Sequence, residues 1–288
     1  MSHHTLQKLI TRMLFDEKFT AAVYVDAKTS LAGEDLTAVE REQLLSVDRR
    51  AWRHDALRQR RTLRTLAEEF KISTTIILAE TRSLASLEGF FSSSFFHRSI
   101  QQRGSLGKAF ADFLLDGCQS GIWKAEQIPD IVRLEASIAG CRRTLAREGE
   151  FQTGELPATI SDRARVRLSP GCDVAAFQAK VIETIQHVER YLFELSLMPA
   201  MALCEDAPKL MGLPEVDRQK KAYLLFSPGA TGISITNIDK AAYLILYETK
   251  RPIEIRNLLA RPGSSKNSAR AQQILSEWLE HGALMLVD

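Results

Sequence analysis

The stretch Ala222-Tyr223-Leu224-Leu225-Phe226-Ser227-Pro228-Gly229-Ala230-Thr231-Gly232-Ile233-Ser234-Ile235-Thr236 decides how the last quarter of the chain is built. An apolar run, a break holding one proline and two glycines, and then alternating apolar and hydroxyl residues predict a β-hairpin. Beyond it, Asn237 to Asp239 offers a side-chain cap, and Ala241, Ala242, Leu244, Ile245 and Leu246 recur at helical spacing until Pro252. A second short helix is expected from Ile253 to Leu259, ending at Pro262-Gly263. A third follows a Ser/Asn-rich turn, with Ile274, Leu275, Trp278 and Leu279 on one face and Gly282 as its exit. A last apolar run spans Ala283 to Val287.

On the amino-terminal side of the hairpin, Arg165-Val166-Arg167-Leu168 alternates basic and apolar residues up to Ser169-Pro170-Gly171. It reads as a strand and is the candidate third member of the hairpin's sheet. Between the two, Phe177, Val181, Ile185, Val188, Leu192 and Leu195 keep a three-to-four spacing that predicts one long helix from Val174 to Met198. The expected fold is therefore mainly α with a small C-terminal α+β winged-helix-like domain, a three-stranded antiparallel sheet plus three helices, within residues 160–288. The segment Gly149 to Asp162, with Gly154 and Pro157, marks a boundary before it.

Residues 1–82 read as an N-terminal helical region. Leu6, Leu9, Ile10 and Met13 share a face, and Thr37 with Glu40 forms a capping box. A run rich in arginine follows, Arg49, Arg50, Arg53, Arg58, Arg60, Arg61 and Arg64; wound on a helix, these cations cannot all face one way, so the reading is a solvated helix or a dock for an acidic partner. Residues 83–150 read as a helical partner-docking region. In Gly89 to His97, four phenylalanines fall in seven positions, too many for one amphipathic helix to bury. Core packing competes with an interface there, and Phe90, Phe91, Phe95 and Phe96 are the candidate partner interface.

Composition narrows the function classes. The chain has 288 residues and a formal charge of +2, which does not mark a protein held on polyanions. No apolar run approaches the roughly 20 residues needed to span a bilayer, and Met1 to Thr5 opens no secretory signal, so a cytoplasmic protein without membrane association is expected. The four cysteines, Cys118, Cys141, Cys172 and Cys204, form no close pair in sequence, and the six histidines are scattered. No metal site is expected in this chain. There is no Gly-rich phosphate loop, no Ser or Cys elbow and no paired His ligands, so the chain is not expected to be an enzyme by itself.

A winged-helix-like module serves two kinds of partner. A DNA-binding transcription regulator would lay the third helix in a major groove, where Lys266, Arg270, Gln272 and Gln273 would face bases but Glu277 and Glu280 would oppose the phosphates. Nucleic acid is the secondary reading. A peptide binder would use an open strand edge, to which an extended segment adds as a further strand. The residues named for that mode are Gly232, Ile233, Ser234 and Ile235 on the receiving edge and Arg270, Ile274 and Trp278 along the third helix, with Arg270 placed to pair a carboxylate.

The hairpin ending in Ile233-Ser234-Ile235-Thr236-Asn237, the helix Asp239 to Tyr247, Pro252-Ile253-Glu254-Ile255 and the Ile274 to Leu286 ending resemble the PqqD-like peptide-recognition element of enzymes that modify ribosomally made peptides. Asp35-Leu36-Thr37, Glu40, Leu44-Leu45 and Asp48 look like the small helical subunit of extradiol ring-opening dioxygenases, which implies only a compact helical fold. Ala109-Phe110-Ala111-Asp112-Phe113-Leu114-Leu115 followed by Ile128-Pro129-Asp130-Ile131-Val132-Arg133-Leu134-Glu135-Ala136 is similar to the HvfC and MbnC families. Those are partner subunits of barrel-fold, multinuclear non-haem iron oxidases acting on peptide cysteines. Together the likenesses resemble a TglI-type subunit of thiaglutamate biosynthesis. That resemblance implies a non-catalytic subunit holding a carrier or leader peptide, with no cofactor of its own and with iron in its partner enzyme.

Overall fold

The computed structural model describes residues 3–53, 57–149, 160–198, 208–230, 232–260 and 268–287. Thr231, the Pro262-Gly263 stop, Lys266, Cys204 and the centre of the linker at 150–159 lie outside the described residues. The chain divides into two compact units, Met1–Val132 with Val188–Met211, and Arg133–His187 with Gly212–Asp288. Two of these limits fall inside helices and the third, at Met211/Gly212, in an irregular stretch.

The first unit carries α1 (His3–Phe15), α2 (Glu17–Val25), α3 (Ala27–Ser30), α4 (Ala38–Ser46), α5 (Arg58–Glu69), α6 (Lys71–Thr81), α7 (Ala85–Glu88), α8 (Ser94–Gln101), α9 (Leu106–Gln119) and the start of α10 (Ile128–Glu148). Short-range chemistry sets many of the starts. Asp16 accepts from the Phe19 amide, Thr37 and Glu40 form a reciprocal capping box, and Ser93 and Ser105 accept from the Phe96 and Lys108 amides. Leu9, Met13, Phe19, Val23, Leu31 and Leu44 build one core.

The aromatic run supplies packing within this unit. A 3-10 turn, Gly89–Ser92, precedes the Ser93 cap, so phenylalanines close in sequence leave two differently directed elements and converge. Phe90 lies 5.1 Å from Phe110, and Phe91 and Phe96 lie 5.8 and 5.3 Å from Phe15. Phe90, Phe91 and Phe96 are fully buried. As a partner interface these three are corrected: their rings are spent on each other, and only Phe95 keeps partial exposure.

The second unit holds the end of α10, then β1 (Arg165–Leu168), β2 (Asp173–Gln178), the start of α11 (Val181–Leu197), β3 (Lys221–Gly229), β4 (Gly232–Ile238), α12 (Lys240–Glu248), β5 (Ile253–Glu254), α13 (Ile255–Leu259), α14 (Ser268–Glu280) and β6 (Leu284–Val287). Two antiparallel three-stranded sheets form, ordered β5-β1-β6 and β2-β3-β4. The hairpin is therefore present, but Arg165–Leu168 is not its third strand. That place belongs to β2, whose residues were expected to open the long helix. Arg165–Leu168 instead lies between the strand at Ile253 and the one at Leu284, so the second short helix starts two residues later than expected, after β5. Both sheets feed one core, in which Val166, Val174, Leu225 and Ile238 meet Leu246, Ile274, Leu275 and Leu279.

The protein is thus mainly α with a small α+β part. Among the described residues no helix is long and apolar enough to cross a membrane.

Candidate functional site

Among the described residues β4 forms one edge of its sheet, paired with β3 on one side only. The register runs from Gly229↔Gly232 through Pro228↔Ile233 and Phe226↔Ile235 to Tyr223↔Ile238. Pro228 has no N–H, so its pair with Ile233 is one of the pairs that exchange no hydrogen bonds. Alternation along an antiparallel ladder then fixes the rest. Gly232, Ser234, Thr236 and Ile238 bond to β3, whereas Ile233, Ile235 and Asn237 turn their N–H and C=O groups away from it. Pro228 itself lies beyond the last residue paired with β2, so it removes no bond from the ladder on that side.

Three consecutive outward pairs of donors and acceptors extend over four residue steps, about 14 Å at the rise of a strand. That length matches about five residues of a guest chain. Natural edges are commonly blunted by lysine, proline or a bulge. β4, Gly-Ile-Ser-Ile-Thr-Asn-Ile, carries no charge and no proline and pairs without interruption.

Side-chain direction separates what the sequence groups together. Ile238 of β4 and Leu225 of β3 lie in the core shared with α12 and α14, so the row Ser234, Thr236 and Ile238 is on the helical side of the sheet, with Ile238 buried and Ser234 and Thr236 exposed. Ile233 and Ile235 point to the opposite face, where Ile233 is half-buried and Ile235 is 37% exposed. Their contribution to a groove on the helical side is limited to their backbone. Ser234 and Thr236 are the side chains available there.

The three helix residues also part company. Ile274 is 2% exposed and belongs to the core, so it is corrected as a groove residue. Trp278 packs partly against the same core, its ring 5.8 Å from that of His281. Arg270 is exposed and donates to Asp239 Oδ2 at 3.2 Å and to Gln273 Oε1 at 3.3 Å. Asp239 in turn accepts the Ala242 amide at 2.7 Å and caps α12. That amide bond, and after it the Arg270 guanidinium, hold the Asp239 carboxyl below the usual carboxylate range. Arg270 thus stands where β4 ends, in a water-exposed ion pair of the kind worth only about 0–1 kcal/mol, which a guest carboxylate can exchange.

Sequence reasoning missed two participants. Asn237 supplies the third outward backbone pair, a fact readable from Pro228 once the register is known. Asp239 was assigned only a capping role, although it also positions Arg270.

Compared with models of known protein families and with curated proteins, the chain matches none. The arrangement itself offers a strand edge, a hydroxyl-lined face, an apolar opposite face and a guanidinium at one end. An open strand edge is the kind of element to which an extended peptide can add as a further strand. Among the described residues no group of three or more His, Cys, Asp or Glu side chains is placed to hold a metal ion.

Proposed function

We propose that this chain is a non-catalytic partner subunit that binds a ribosomally made carrier or leader peptide by strand addition to β4. It presents a cysteine of that peptide to a multinuclear non-haem iron oxidase in cytoplasmic natural-product biosynthesis of the thiaglutamate kind. The observation that carries the reading is the uncharged, uninterrupted edge with outward amides at Ile233, Ile235 and Asn237. The β3-β4 hairpin followed in the chain by α12, α13 and α14 supports it, as does the likeness to PqqD-like elements and to partner subunits of iron oxidases. Holding a remote part of a substrate raises the effective concentration of its reacting end at the metal, so a subunit without catalytic groups can govern turnover.

The test is co-expression with a candidate iron oxidase and its precursor peptide, followed by size exclusion and metal analysis. All three should elute together, with iron retained by the oxidase when it is purified alone. Iron bound to this chain by itself, or capture of the peptide by the oxidase in its absence, would overturn the reading.

A further inference from the structure

Two contacts and a shared cavity lay the turn that precedes β2 along α10. Ser137 Oγ donates to Asp173 Oδ2 at 2.9 Å. One helical turn later, Cys141 borders the same cavity as Cys172. One turn later again, Leu145 fills the space beside Gly171 (φ 79°), where an added Cβ would come within 2.6 Å of it. Helix positions 137, 141 and 145 are stacked on one face, and they meet 173, 172 and 171 in order. The register therefore sets Cys172 opposite Cys141.

Both thiols are free. Cys141 is buried and Cys172 is partly exposed, and they share a cavity of about 360 Å³ with Ser137, Gly140, Gly171 and Asp173. Gly140 places no side chain between them. Lys250 Nζ, 2.6 Å from Asp173 Oδ1, holds the turn from its other side.

We infer that Cys141 and Cys172 are a redox pair that closes to an intramolecular disulfide when a small disulfide oxidant enters this cavity. The more accessible Cys172, as thiolate, attacks one sulfur of R–S–S–R. The leaving R–S⁻ takes up the proton that Cys172 lost. Cys141 thiolate then displaces the second R–S⁻ from the mixed disulfide, and that group likewise leaves as R–SH. Two protein thiols are oxidised by two electrons, one oxidant disulfide is reduced to two thiols, and no net proton is released.

Burial first, and then the Asp173 charge, push both thiols up to about 12, with Cys172 adding to the effect on Cys141. Little thiolate exists at neutral pH, so closure is slow there and should quicken about tenfold per pH unit below that value. The bond would tie the middle of α10 to the start of β2, the strand at the other edge of the sheet from β4. It leaves the candidate peptide edge open, so its outcome is independent of the peptide reading.

The full chain is treated with glutathione disulfide at pH 9, alkylated, digested and analysed by mass spectrometry. The expected product joins the peptides holding Cys141 and Cys172, about 2 Da lighter than their sum, is reversed by dithiothreitol, and accumulates about tenfold more slowly at pH 8. Cys141→Ser and Cys172→Ser should each abolish the link, Cys141→Ser leaving Cys172 as a glutathione adduct and Cys172→Ser leaving the buried Cys141 unreacted. If Cys141→Ser misfolds, Cys172→Ser in the turn still reads the loss of the link. Stable separate adducts at both cysteines of the parent, a link through Cys118 or Cys204 instead, or no reaction would each overturn the inference.

Discussion

The imidazole of His97 shows how one side chain sets a pH dependence for the first unit. Its Nε2 is buried and has no hydrogen-bond partner among the described residues. Burial first, and then the Arg12 cation with a lesser push from Lys8, lower its pKa from 6.5 to about 4, against the opposing charges of Asp16 and Glu34. The folded ring is therefore neutral where the unfolded chain already takes up a proton. Stability that is complete above pH 6.5 should decline as pH falls toward 4, because the unfolded state binds more protons through that window. Denaturant titrations at pH 7 and pH 4.5 should show a smaller loss for His97→Gln than for the parent; equal losses would refute this origin. At the same scale, Thr37 and Glu40 were legible because a capping box is closed by residues three apart. Arg270, Ile274 and Trp278 were not separable, because each four-residue step along a helix advances only about 40° around the axis. That drift is enough to carry one stripe from solvent at Arg270 into the core at Ile274.

At the scale of elements, the backbone directions along β4 can be tested one residue at a time. Ile235 points its N–H outward, so Ile235→Pro removes a donor needed by a guest strand while sparing the ladder with β3. Thr236→Pro removes a bond of the ladder itself. The first variant should keep a melting temperature close to the parent's and bind the carrier peptide about two- to tenfold more weakly, the worth of one lost hydrogen bond. The second should lose fold stability as well. Fluorescence anisotropy with labelled peptide reads the first effect and thermal melting the second; unchanged binding by Ile235→Pro would remove strand addition as the mode. The hairpin was legible because its two strands meet through a local break. β2 was not, for two reasons. Phe177 and Val181 continue the spacing of α11 backward, and Ala179 and Lys180 offer no capping side chain to mark where the helix starts. Nor can a sequence period reveal that β1 pairs with strands about ninety and a hundred and twenty residues away in the chain, since such pairing depends on tertiary packing.

For the whole molecule, charge separates the peptide reading from the DNA-binding one. The net charge is +2, and the exposed charged side chains described on α14 are Arg270, Glu277 and Glu280, so the helix that would enter a major groove carries more negative than positive charge. A DNA reader with six to ten phosphate contacts loses about 10³–10⁵ in affinity between 50 and 200 mM salt, because each neutralised phosphate releases counterions. Strand addition draws on backbone hydrogen bonds and apolar contact, with one exchangeable ion pair at Arg270, and such a pair is screened only modestly over that range. Peptide affinity should therefore fall by less than about tenfold across the same salt interval. Titrating the full chain with carrier peptide and, separately, with duplex DNA at both salt concentrations decides between them. A steep salt slope for DNA with no measurable peptide binding would transfer the module to the regulator class. A shallow slope for peptide, lost on Ile235→Pro, would tie recognition to the open margin of the sheet.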